Sequence, residues 1–228
     1  MEALINPTTL ADQAYTTLLD AICDGTLKPG ERLTQAVVAD RLKVSRQPVH
    51  NALLVLKSQG FVRSAGRRGL AVAPVDQGFF HSLFEFRAAV EPLAVRLACA
   101  RVKTKDIARA RTLLADGKAA TRRRDIRSMI EADMNFHIFL YELSGNMLIV
   151  DAMRLNWQHL RRAMGTVLQQ RVVSTRVWKE HTAIVNALLA RNADVAASQM
   201  EAHIVRAHSD VTHALETSAP PMRGIEIR

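Results

Sequence analysis

From residue 79 to residue 215 apolar side chains return every three or four positions, and the rhythm breaks only near 102–103, 123–124, 144–146, 171–173 and 192. A pattern of that length leaves the chain little choice. Each amphipathic stripe must find another stripe to cover it, so the segment folds as successive helices packed on one another. The spacing predicts six helices, near 79–101, 104–122, 125–143, 147–170, 174–191 and 193–215, in a single all-α bundle. Composition agrees: 48% of residues are hydrophobic, 23% are charged, and only 10 of 228 are Gly. The fold class is therefore mainly α.

The first 75 residues are punctuated differently. Leu10, Ala14, Leu18, Ala21 and Ile22 recur at helical spacing until Gly25 stops them. Pro29 and Gly30 turn the chain, Leu33 enters the core, and Thr34 caps a short second helix built on Val37, Val38 and Leu42. Ser45 stands where it can cap a third helix, whose buried stripe is Val49, Ala52, Leu53 and Leu56. Pro48 is tolerated there because first-turn amides have no intrahelical acceptor to lose. After Gly60 the segments FVRS and LAVAP, joined by AGRRG, spell a two-stranded hairpin. These signals predict a winged helix-turn-helix over 1–75, a hinge at 75–78, the bundle over 76–216, and a disordered tail, 217–228, with two prolines and no periodicity.

Charge assigns a partner to the first domain. Residues 41–75 contain Arg41, Lys43, Arg46, Lys57, Arg63, Arg67 and Arg68 and no Asp or Glu, within a chain whose net charge is +9. Excess Lys and Arg favour approach to phosphate, so double-stranded DNA is the expected partner. Arg46 and Gln47 fall in the first turn of the third helix, where side chains reach base edges in the major groove. Lys43 and His50 are placed for phosphate, and Arg67 and Arg68 at the wing tip for the minor groove or the backbone. The bland alternatives are an ordinary solvated helix start and a basic loop. No apolar run approaches 18 residues, the N-terminus lacks a signal-peptide pattern, and Cys23 and Cys99 each sit alone in apolar helical surroundings. These features argue against a membrane span and a disulfide, and for the cytoplasm.

The bundle holds its own candidates. Asp133 and His137 are four residues apart, hence on one helical face one turn apart, and His181 and His203 come from two later helices. Three imidazoles and a carboxylate suit a divalent transition metal, with Zn²⁺ ahead of Ni²⁺, Mn²⁺ or Fe²⁺. On spacing alone, histidines scattered through core and surface explain the same residues. His208 and His213 lie on other faces of His203's helix, and His81 and His159 belong to no motif. Arg87 interrupts a stripe of Leu83, Val90 and Ala94, so it meets either a ligand carboxylate or a structural partner, Glu91 or Glu131. Asn156 interrupts another face and either bonds a ligand or caps buried backbone. Trp157 and Trp178 are read as packing residues, and Arg122, Arg123, Arg124, Arg161 and Arg162 as solvated faces. A metal hydrolase could use the same Asp/His set. However, the chain has no HExxH, and Glu180 points about 100° away from the adjacent His181, so no catalytic residue is assigned.

Ile22, Gly25, Leu27, Pro29, Gly30 and Leu33, with VSRQPVHNAL and LKSQGFV, resemble the winged helix-turn-helix of GntR-family bacterial transcription regulators. LFEFRAAVEPLAVRLA, DMNFHIFLYELSGN, WKEHTAIVNAL and MEAHI, in that order, are similar to the helical FCD ligand-binding domain of FadR-like members. Six helices rather than seven resemble the VanR-type branch. The likeness implies a homodimer on a pseudo-palindromic operator and a metal held by Asp133, His137, His181 and His203. With Arg87 and Asn156 as the residues placed to meet it, the expected effector is a small carboxylate whose binding relieves repression, with activation equally compatible with the chemistry. A DNA-binding protein whose bundle meets only a protein partner is the other reading. The chain departs from the family at His50 and Asn51, where Arg and Glu are common, and at Ala36 and Val37, where charged residues are frequent, so operator preference does not transfer from relatives.

Overall fold

Helix α1, Leu10–Cys23, opens with a reciprocal cap: the Thr9 hydroxyl accepts from the Asp12 amide while the Asp12 carboxylate accepts from that of Thr9. It is the first element of a computed structural model that describes residues 9–66, 69–168 and 175–218. The chain divides after Val75 into two compact units.

In the first unit Gly25 and Gly30, at φ +81° and +84°, turn the chain from α1 into strand β1, Arg32–Leu33. Thr34 caps α2, Gln35–Leu42, through the Val37 amide, and α3 follows at Arg46–Ser58. Ser45 occupies the N-cap position of α3, but its side chain makes no capping hydrogen bond, contrary to the role expected of it. The hairpin is β2, Val62–Ser64, against β3, Leu70–Val72, in antiparallel register with Val62 opposite Val72. Its turn closes where the Ala65 amide donates to the Gly69 carbonyl at 2.8 Å. β1 is a third strand, lying outside β3 with Arg32 opposite Ala71. Two residues are too short a run for an alternation signal, which is why the sequence pattern placed Leu33 in the core without announcing the strand. Leu18, Ile22, Leu33, Leu53, Leu56, Phe61 and Val72 form the core beneath α3. Tyr15 ties α1 to the end of α3 by donating to Gln59 Oε1 at 2.8 Å.

The second unit is helical throughout its described residues, with α4 Gln77–Arg101, α5 Thr104–Arg123, α6 Ile126–Ser144, α7 Met147–Leu168, α8 Arg176–Leu189 and α9 Ala193–Ser218. The helices stand where the apolar rhythm placed them, with ends shifted by a few residues. Asp76 caps α4 by accepting from the Phe79 amide at 3.1 Å, so Gln77 and Gly78, expected in a hinge, are helical. α9 runs to Ser218, which makes Thr217 and Ser218 helix rather than tail, and residues 219–228 lie outside those described.

Packing orders these helices around the middle of α4. α4 lies on α9 and α6, α6 also meets α5 and α7, and α8 bridges α9 and α5. Gly117 of α5 faces the Trp178 indole so closely that a Cβ there would overlap it, so this position accepts no side chain while Trp178 stays in place. Trp157 is almost fully buried and donates from Nε1 to the Tyr141 hydroxyl at 3.2 Å. Arg162, expected on a solvated face, is buried as well.

Candidate metal centre and nucleic-acid interface

The outward side of α3 begins with Arg46 and Gln47, both exposed above the buried Val49. Gln47 donates to Asn51 Oδ1 at 3.1 Å, one turn on. His50 is half-buried, and its Nδ1 lies 2.8 Å from Gln35 Nε2, so this residue links α3 to α2 while flanking the exposed face. Lys43 ends α2 in the left-handed region, φ +56°, with its ammonium out in solvent 3.2 Å from Asp40 Oδ1. Asp40 falls one residue before the acid-free run and partly neutralises its start. Arg67 and Arg68 lie outside the described residues, while Arg63 on β2 is exposed.

Inside the second unit, α6, α8 and α9 each deliver one buried histidine. His137 and His181 have no exposed surface, His203 is 3% exposed, and a ring nitrogen from each lies within 4.8 Å of the others. His181 Nε2 is 3.3 Å from His203 Nε2 and 3.5 Å from Asp133 Oδ1. The helices thus bring together all four residues of the expected ligand set.

Carboxylates stand behind two of the rings. His137 Nδ1 is 2.7 Å from Glu91 Oε2, and His203 Nδ1 is 2.8 Å from Glu180 Oε2. Burial works against charge on Glu91, but Arg87 and His137 more than offset it, so its carboxyl lies far below the usual carboxylate range. Burial, with His203 and His137 as neighbours, pushes His181 well below the usual imidazole range, and burial lowers His203 against the pull of Glu180. Buried imidazoles with carboxylates behind two of them are an arrangement that suits a transition metal ion.

Two orphaned atoms test the fit of such an ion. His137 Nε2 and His181 Nδ1 are buried with no hydrogen-bond partner among the described residues. A buried ring nitrogen left bare carries a desolvation cost with no return, and His181 and His203 bring two ring nitrogens to 3.3 Å from one another beside it. The donor set therefore fits a divalent transition metal.

Arg87 is 4% exposed, and its Nε donates to Glu91 Oε1 at 2.6 Å. Its guanidinium carbon lies 5.1 Å from the Phe84 ring centre and 5.2 Å from that of Trp157. The pair with Glu91 exists, and Arg87 still lines a cavity of about 100 Å³ shared with Asp133, Met129, Leu160, Trp178 and His203. Asn156 is not among the residues lining this cavity; its amide donates to the Ala152 carbonyl of its own helix at 2.9 Å.

Residues 10–72 match the family described as "Bacterial regulatory proteins, gntR family", and residues 82–206 match the FCD domain. The Nta operon transcriptional regulator of Aminobacter aminovorans is 32% identical over 177 residues, covering 78% of this chain and 82% of that one. This chain belongs to the GntR family of bacterial transcription regulators, with an FCD domain. The HTH-type transcriptional repressor RspR of Escherichia coli (strain K12) is 25% identical over 212 residues, 90% of each chain. The solved structure of E. coli McbR/YncC superposes with a TM-score of 0.79 at 21% identity, covering 91% of this chain and 99% of that one, and so shares the fold. The matched families are DNA-binding regulators and not enzymes, which sets aside the hydrolase reading of the Asp/His cluster. No helix among the described residues of this GntR regulator is long and apolar enough to cross a membrane.

Two contributors escaped the sequence reading of this regulator's core. Glu91 was legible as one of two partners for Arg87, four residues before it on the same stripe, but nothing in the spacing showed its second contact, to His137 on α6. Glu180 was set aside because it points away from His181. Pointing away is what carries it to His203 on the neighbouring helix. A further imidazole pair, His81 Nδ1 and His208 Nε2 at 3.3 Å, joins α4 to α9 apart from the cluster.

Proposed function

We propose that the chain is a repressor whose operator affinity is set by a small carboxylate bound at a metal centre in the FCD domain. The observation that carries this reading is the convergence of three buried imidazoles beside a cavity that Arg87 and His203 line. Asp133, His137, His181 and His203 would hold the ion, with Zn²⁺ the first expectation from an N/O donor set of this kind. When bound, the metal supplies a Lewis-acidic centre for an anionic group. The protein's own residues do the rest. Arg87 brings a fixed positive charge, Met129, Leu160 and Trp178 line the cavity with apolar surface, and Glu91 compensates the arginine when the cavity holds no anion.

A ligand alters operator affinity only if it binds the DNA-competent and DNA-incompetent arrangements unequally. The histidines come from α6, α8 and α9, so a ligand held between them acts on how the three helices stand to one another. Such coupling typically amounts to roughly 1–3 kcal/mol. On the DNA side, Arg46 and Gln47 would read base edges, with Lys43 and His50 near phosphate and Arg67 and Arg68 on the wing. RspR, named a repressor, supports that sign of control.

One reading head of this size calls for a second, which favours a homodimer on a two-fold operator in the cytoplasm. α4 offers a surface for it: Phe79, Phe86 and Leu93 follow one another seven residues apart, all exposed, with Ser82 and Ala89 between them. Large and small residues alternating along one line complement the same line on a second copy running antiparallel.

The decisive experiment combines elemental analysis of protein purified without a histidine tag with operator retardation across a panel of carboxylates. About one zinc per chain, lost in His137→Ala, and release from DNA by one carboxylate only when metal is present are the expected results. Metal-free protein that answers the same carboxylate equally well would defeat the reading.

A further inference from the structure

We infer that Glu180 is a positioning residue, which holds His203 in the tautomer whose Nε2 lone pair faces the cluster. The inference rests on the proposed metal centre for its purpose but not for its geometry. An ionised carboxylate can only accept hydrogen bonds, so the contact of 2.8 Å between Glu180 Oε2 and His203 Nδ1 puts the ring proton on Nδ1. Nε2 is then bare, and it is this atom that lies 3.3 Å from His181 Nε2. With the proton on the other nitrogen, the face that points into the cluster would be a donor, which no cation accepts.

The rest of the carboxylate is occupied in a way that keeps it an acceptor. Its Oε1 takes Arg206 Nε at 2.7 Å and has Arg176 Nε at 3.2 Å, and Arg176 also pairs with Asp210. Arg206 hydrogen-bonds this oxygen with Arg176 beside it, which leaves the other oxygen for His203. His203 and Arg206 are three apart on α9, so both reach Glu180 from one face of that helix. Glu91 Oε2 comes within 2.7 Å of His137 Nδ1 deep in the core, so the cluster has one carboxylate behind each of two rings, from α4 and from α8.

This arrangement makes Glu180→Gln an informative substitution. Gln has the same shape, but Arg206 Nε requires an acceptor on its side, so the carbonyl oxygen turns to it and the amide donates to His203 Nδ1. The proton must then move to Nε2. Long-range proton–nitrogen correlation spectra of metal-free protein with ¹⁵N-labelled histidine, assigned with His203→Gln, read the tautomer directly. The wild type should show His203 protonated at Nδ1 and the Gln variant at Nε2. Zinc affinity, measured by competition with a chelator, should weaken about ten- to a hundredfold in Glu180→Gln. Arg206→Gln removes a half-exposed ion pair while leaving the Glu180–His203 contact, so it should keep the tautomer and hold zinc within about fivefold of wild type.

A wild-type His203 protonated at Nε2 overturns the assignment whatever the variants do. So does a Glu180→Gln protein that keeps the Nδ1 proton or binds zinc as tightly as wild type. Failure of wild-type protein to take up zinc defeats the metal reading instead, and the tautomer of the metal-free protein, which needs no ion, then decides the part of Glu180 by itself.

Discussion

The two regions that carry this regulator's proposed function are built on opposite plans. On the head, Arg46 and Gln47 occupy consecutive positions of one helix, face solvent, and rest on a core to which their own side chains contribute nothing. In the bundle, Arg87, Glu91, Asp133, His137, Glu180, His181 and His203 come from four helices, and five of the seven are less than 5% exposed. The head is a surface that can be rewritten residue by residue. The bundle site is part of the structure that holds the helices together, so its chemistry and its stability cannot be changed separately.

That contrast can be broken by experiment. The largest effect is expected from Glu91→Ala, which leaves Arg87 buried without its partner and His137 without its carboxylate. Breaking a buried pair in this way costs about 3–5 kcal/mol, hence a fall of about 10 °C or more in Tm for a chain of this size, read by thermal denaturation. A Glu91→Ala protein as stable as wild type would mean that the pair does not organise the bundle. Next comes Arg46→Ala, which should lose roughly 1–3 kcal/mol of operator binding in retardation assays with no measurable change in Tm. A fall in Tm there would erase the distinction between the two regions.

Arg87→Lys sharpens the comparison further. It keeps a positive charge beside Glu91 but loses the planar fork, so an effector carboxylate should need about tenfold higher concentration to release DNA while metal content stays the same. A titration that overlays the wild type would separate Arg87 from effector recognition. The smallest effect is expected for His50→Ala, which removes one contact between α2 and α3 at a half-buried site. A loss of about 0.5–1 kcal/mol in stability, with a modest loss of operator affinity, is the expected result. A loss of operator affinity larger than that of Arg46→Ala would make His50 a primary reader of the site.

Much of this fold was legible because its signals are local. The 3.6-residue rhythm over 79–215, Gly25 and Gly30 at positive φ, the Thr34 cap and the alternation of FVRS and LAVAP each act within a few residues of themselves, and each element formed where it was expected. What stayed hidden depends on neighbours distant in sequence. β1 exists because Arg32 and Leu33 lie beside β3, not because two residues carry a strand pattern. Arg162 is buried because of the helices around α7, although its own sequence context reads as a basic surface. Asn156, whose place on an apolar face left a ligand and a backbone group both open, donates to the Ala152 carbonyl of its own helix.

The candidate metal centre divides along the same line. Four residues apart on one helix fixes Asp133 and His137 to a common face, because helical geometry admits no other outcome, so that much belongs to the sequence alone. Whether His181 and His203 meet them is decided by how α6, α8 and α9 are arranged around α4, and tertiary structure brought ring nitrogens of the three imidazoles within 4.8 Å. The carboxylates behind them follow the same rule. Glu91 serves Arg87 along its own helix, a relation that spacing shows, but it reaches His137 only across to α6. Glu180 reaches His203 only across to α9. Chain order sets the direction in which each side chain leaves its helix, and only the packing of one helix on another sets what it meets there.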